Sequence, residues 1–101
     1  MAGRKFKFHG GEKGAALAVR VKTGARKSAF KKVLRDGTVV ITLKGGSRDP
    51  NSDLIKYLAQ ELAVEEKKFQ VIAGRDGKKK LISILDLDPA EIQEEILNKI
   101  G

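Results

Sequence analysis

Three features of the 101-residue chain predict an α+β fold: a single compact domain with a mixed four- to five-stranded sheet and two helices packed on one face. Apolar residues alternate with polar ones at a period of two over Leu17 to Lys22, the pattern of a half-buried strand, and further short stretches rich in β-branched and apolar residues read as its companions. Two other segments place aliphatic residues at helical spacing, each just after an Asp-Pro pair or an Asp followed closely by Pro. A chain of this size also buries roughly 60–70% of its unfolded surface, enough for one core and too little for two domains around a cleft. The expected division is a flexible basic leader over residues 1–14 and one domain over residues 15–101.

The elements follow in order. Gly10-Gly11-Glu12-Lys13-Gly14 is a flexible entrance, after which Leu17, Val19 and Val21 alternate with Ala18, Arg20 and Lys22 as a strand. Thr23 to Ser28 reads as a loop and Phe30-Lys31-Lys32-Val33-Leu34 as a second strand with its basic pair in solvent. Arg35-Asp36-Gly37 is a turn, because Asp-Gly accepts the positive φ of a tight hairpin, and the β-branched stretch Thr38 to Leu43 returns. Lys44 to Asn51 breaks the strand. Asp49 is positioned as a helix N-cap with Pro50 at the first helical position, where the missing N–H costs nothing. Leu54, Ile55, Leu58 and Leu62 then form one apolar stripe, and Ala63-Val64 closes the helix.

Glu65 to Lys68 is a solvated turn, Phe69 to Ala73 a strand, Gly74 to Lys79 a loop, and Lys80 to Leu85 the neighbouring strand. The last helix starts at Asp88 as cap, with Pro89 in the first turn and Glu91 at the third position of a capping box; Ile92, Ile96 and Ile100 form its buried face. No segment repeats closely enough to indicate duplication.

The composition excludes several functions. There is no cysteine, so disulfides, thiolate metal sites and thiol nucleophiles are absent. The N-terminal residues lack the apolar run of a secretory signal, and no apolar run approaches the ~20 residues of a membrane span. A cytoplasmic protein, monomeric and without a membrane partner, is the expectation. The charge, by contrast, is strongly biased: 21 Lys+Arg against 13 Asp+Glu give +8, and the pI is about 9.9. Residues 1–50 hold 13 Lys/Arg and 3 Asp/Glu, a balance of +10, whereas residues 51–101 hold 8 and 10, a balance of −2. A polarity of that kind attracts polyanions through long-range electrostatics.

In spacing, the chain from about residue 15 to 100 resembles the small YggU-like proteins, also called the DUF167 or UPF0235 family. The residues that carry the resemblance are Val21-Lys22-Thr23-Gly24-Ala25, where the family has a strand-Pro-x-Ala turn, and Leu43 to Asn51, where it has an Ala-Pro-Pro-x-x-Gly-x-Ala-Asn loop before a helix. Gly74, Gly77 and Lys78-Lys79-Lys80 stand where the family carries a glycine followed by Ser/Gly-Arg-x-Lys. The loop length and Asn51 agree, while the paired prolines, the loop glycine and the arginine differ. The resemblance implies a compact α+β domain with two helices on one side of a mixed sheet, and no agreed biochemical role.

Candidate chemistry is concentrated in the loops. Lys44-Gly45-Gly46-Ser47-Arg48 reads first as a glycine loop that reverses the chain into a helix and second as an anion site, for which its amides and two cations are suited; it is neither a Walker loop nor a Gly-x-Gly-x-x-Gly fingerprint. His9, the single histidine, has no metal-ligand or relay pattern around it. Ser28, Ser47, Ser52 and Ser83 lack an activating constellation, and Asp86 and Asp88 do not amount to a carboxylate pair because Asp88 serves as a cap. No catalytic residue, metal ligand or cofactor is assigned.

The leading expectation is therefore non-catalytic binding of RNA, DNA or another polyanion. The candidate residues are Arg26, Lys27, Lys44, Gly45, Gly46, Arg48, Asn51, Lys78 and Lys80, on loops that a shared sheet end would bring together. Phe6 and Phe8, alternating with Lys5 and Lys7, are suited to stacking on exposed bases, Phe30 and Phe69 belong to the core, and Tyr57 fits either core or interface. The alternatives are a protein-interaction or structural adaptor domain and, third, a small anion-binding enzyme; a convergent pocket around Asn51 and Lys80 holding a bound anion would point toward ligand binding or catalysis.

Overall fold

A computed structural model describes residues 5–7, 13–45 and 48–100. Its elements are β1 (Lys5–Lys7), β2 (Lys13–Ala25), β3 (Ala29–Val33), β4 (Val39–Lys44), α1 (Pro50–Leu62), a 3-10 turn (Glu66–Lys68), β5 (Phe69–Ala73), β6 (Lys79–Leu85) and α2 (Pro89–Lys99). They form the expected α+β domain, with a mixed sheet in the order β3-β4-β2-β6-β5.

β2 organises the sheet because its 13 residues are long enough to serve three neighbours. Along one edge, Gly14 to Arg20 pair antiparallel with β6. The other edge is shared end to end: β1 pairs antiparallel with Lys13 to Ala15, and β4 runs parallel alongside Val19 to Ala25. Partners on both edges also explain why β2 outgrows the strand expected around Leu17 to Val21. The expected loop at 23–28 begins only after Ala25, which still pairs with Lys44 past a register shift. Of residues 1–14, Lys5–Lys7 form β1 and Lys13-Gly14 open β2; the others, His9 and Phe8 included, lie outside the described residues.

One face of the sheet carries the core. The register aligns Val19 with Val39 and Val21 with Ile41, and Ala15 with Ile84 and Leu17 with Ile82. Phe69 and Val71 continue these rows into β5. Against them α1 buries Leu54, Leu58 and Ala59, α2 buries Ile92 and Ile96, and Ile55, Leu62 and Ile100 pack partly buried around the same cluster. Asp49 and Asp88 cap the two helices as the sequence indicates: the Asp49 carboxylate accepts from the Ser52 amide at 3.1 Å and the Asp88 carboxylate from the Ala90 amide at 2.9 Å. Each cap satisfies a donor that the helix itself leaves unpaired. Among the described residues no helix is long and apolar enough to cross a membrane.

The β3–β4 hairpin shows how a short sequence signal becomes a titratable contact. Gly37 supplies φ +90°, the Leu34 amide donates to the Thr38 carbonyl at 2.8 Å and the Gly37 amide to the Leu34 carbonyl at 2.9 Å. The Thr38 amide donates to the Asp36 carboxylate at 2.9 Å, and this bond holds the carboxyl below its ordinary value of 3.8. With the folded value lowered, the hairpin's gain is complete above 3.8 and disappears as the pH falls through the lower folded value. Denaturation of Asp36→Asn across an acid pH series is expected to show a smaller loss of stability on acidification than the parent chain; identical acid profiles would contradict the assignment.

Candidate nucleic-acid interface

A cleft of about 640 Å³ opens where three chain segments meet: the end of β2 (Arg20 to Thr23), the start of α1 (Arg48 to Asn51), and the β5–β6 loop (Arg75 to Lys78), with Lys80 beneath. β2 outruns β6 here. Their ladder ends at Arg20 opposite Lys79, and one further bond, from the Val21 amide to the Lys78 carbonyl at 2.8 Å, fixes the loop against the protruding strand.

Lys80 forms the floor. The register places it opposite Val19, in line with Ile82 and Ile84 on the core face, and it is only 7% exposed. A long side chain at the last core position can lie along apolar surface and bring its charge out at the sheet end. Its Nζ donates to the Gly74 carbonyl at 3.2 Å and to the Arg75 carbonyl at 2.8 Å. Burial lowers its pKa from 10.5; the Asp76 and Asp49 carboxylates oppose that shift and the Arg75 guanidinium adds to it.

Asn51 completes the support. Its Nδ2 donates to the same Arg75 carbonyl at 3.0 Å, so Lys80 from the sheet and Asn51 from the helix hold one peptide group between them. Among the described residues the buried Asn51 Oδ1 has no hydrogen-bond partner. Gly74 makes the loop possible, with φ +75° and a backbone so close to Lys79 that a Cβ would stand 2.0 Å from its carbonyl oxygen. The Gly77 amide closes the turn by donating to the Gly74 carbonyl at 3.1 Å.

Four of the nine expected site residues, Arg48, Asn51, Lys78 and Lys80, therefore share this cleft. Lys44 lines a separate cavity of about 390 Å³ between β4 and α1, together with Ser28 and Tyr57. Gly45 packs against Gly24, its amide donating to the Ala25 carbonyl at 3.1 Å. Arg26 and Lys27 are exposed in the β2–β3 turn and line neither cavity. Gly46 and Ser47 lie outside the described residues. The aromatic residues divide similarly: Phe30 and Phe69 are buried, Tyr57 packs on Phe30 with ring centroids 5.2 Å apart, and the side chains of Phe6 and Phe8 are not described.

The cleft also includes three cations that the loop-based reading did not select: Arg20, Lys22 and Arg75. For Arg20 and Lys22 the signal was available in their alternation with Val19 and Val21, which sends both out of the core. Six cations thus surround the cleft, with the carboxylates of Asp49 and Asp76 among them. Asp49 is engaged as the α1 cap. Among the described residues no group of three or more His, Asp or Glu side chains could hold a metal ion. Among the described residues the exposed large apolar side chains, Ile72 and Leu97, stand singly on β5 and α2, which is ordinary for a protein surface. The chain matches no model of a known protein family.

Proposed function

We propose that the protein binds the phosphate backbone of nucleic acid, RNA foremost, through the cleft at the end of β2, with little reading of base identity and no catalytic step. The observation that carries this reading is the convergence of Arg20, Lys22, Arg48, Arg75 and Lys78 on one concavity from three separate segments. Lys80 adds positive charge beneath them while its ammonium shapes the loop. Phosphate contacts position a ligand without specifying its sequence, which suits a site whose groups are mostly long, exposed cations.

The resemblance to the YggU-like family enters as part of the same proposal. Thr23, Asn51, Gly77, Lys78 and Lys80, among the positions that carry it, all border this cleft.

Titration of the purified protein with single- and double-stranded RNA and DNA at several salt concentrations tests the proposal. If the five rim cations each neutralise one phosphate of a single strand, log affinity should fall against log salt with a slope on the order of −3 to −4. Binding that stays undetectable at low salt overturns it.

A further inference from the structure

The sheet face without helices is basic where it meets the cleft. On β2, Val19 and Val21 enter the core, so Arg20 and Lys22 project from the opposite face, and both are exposed. The register sets Arg20 beside Val40 of β4, Val40 beside Lys32 of β3, and Arg20 beside Lys79 of β6. Lys32, Val40, Arg20 and Lys79 therefore form one row across four adjacent strands, spanning three inter-strand steps of ~4.8 Å, or ~14 Å. Lys22, beside Thr42, stands in the next row of that face. Toward the other end of β2 the face changes to Ala16, Ala18, Leu81 and Ser83. No strand position in these two rows carries a carboxylate; Asp36, at the hairpin tip, acts on Lys79 from outside them.

Arg20 and Lys22 belong both to this face and to the cleft lining. We infer that the cleft is the end of a longer track, and that the ligand is a single strand whose backbone crosses the helix-free sheet face along the exposed side chains of Lys32, Arg20 and Lys79, above the buried Val40 between them, before turning into the cleft. This rests on the cleft binding phosphate, as proposed above. Charge complementarity selects a polyanion, and shape selects a single strand. A cleft of about 640 Å³ falls in the range that accepts one small ligand, roughly 300–1,000 Å³. The phosphates of a duplex lie on a stiff cylinder that can touch the rim cations but cannot send a nucleotide toward Lys80. A single strand bends and can occupy floor and face together.

The test compares a 5′-phosphorylated uridine trinucleotide with a twelve-nucleotide polyuridine and a duplex of that length, using the intact chain and the double variant Lys32→Ala/Lys79→Ala. Both substituted residues are exposed and lie outside the cleft lining. The longer single strand is expected to bind more tightly than the trinucleotide and with a steeper salt slope, and the duplex more weakly than the single strand. In the double variant the slope for the longer strand should flatten by about 1.4, two contacts at ~0.7 each, while trinucleotide binding is unchanged. An unchanged slope, or a duplex bound as tightly as the single strand, overturns the track. If the trinucleotide binds and the longer strand gains nothing, the track falls and the cleft stands; if neither binds at low salt, both fall. Polyglutamate of equal charge that displaces polyuridine as effectively as polyuridine itself would overturn nucleic acid as the occupant.

Discussion

Replacing Gly74 by alanine is expected to destabilise the protein by about 2–4 kcal/mol, lowering its melting temperature by on the order of 15 °C. Two costs combine. The left-handed conformation, φ +75°, costs an L-residue roughly 1–2 kcal/mol. The new Cβ would also meet the Lys79 carbonyl oxygen at 2.0 Å and the Lys79 carbonyl carbon at 3.0 Å, and backbone cannot yield as the end of a flexible side chain can. The β5–β6 hairpin must open, which carries the Gly74 and Arg75 carbonyls away from the Lys80 ammonium and leaves a buried charge with fewer acceptors. Gly37→Ala is the control. Its φ is +90°, yet a Cβ there meets nothing within 4 Å, so only the conformational cost applies. Thermal denaturation of both variants separates strain from collision; a Gly74 variant no less stable than the Gly37 variant would refute the steric account.

The second large effect concerns binding. The triple variant Lys22→Glu/Arg48→Glu/Lys78→Glu is expected to weaken single-stranded RNA binding by at least roughly 100-fold, taking ~1 kcal/mol for each lost charged contact, and to flatten the salt slope by about 2. All three residues are exposed and line the cleft, so the fold should be retained, which circular dichroism and melting would verify. Lys56→Glu/Lys67→Glu/Lys99→Glu changes the net charge by the same amount at positions outside the cleft. If affinity depends on the local constellation, this control loses little; equal losses in the two variants would mean that net charge alone attracts the ligand and that the cleft has no special part.

Much of the architecture is legible in the sequence because it depends on local chemistry. Asp49-Pro50 and Asp88-Pro89 mark helix starts since a carboxylate there meets an unpaired amide and proline has no amide to lose. Asp36-Gly37 marks the hairpin since glycine accepts the required φ. The length of β2 was less visible. Glycine and polar residues at 13–14 and 23–25 have the composition of loops, and they become strand only because β1, β6 and β4 offer backbone partners at those positions.

The candidate site divides in the same way. Composition and alternation alone establish which residues are cationic, that Arg20 and Lys22 face away from Val19 and Val21, and that the basic excess lies in the first half of the chain. That Arg48, Asn51, Lys78 and Lys80 meet while Lys44, Arg26 and Lys27 stand elsewhere follows from the folded arrangement of the strands. The same arrangement leaves Lys80, expected as the first residue of its strand, nearly buried opposite Val19. The physical reason is the pairing of β2 with β4 in parallel and with β6 antiparallel. These ladders join segments distant in the chain, so their register, set by the fit of the whole core, determines which charges become neighbours.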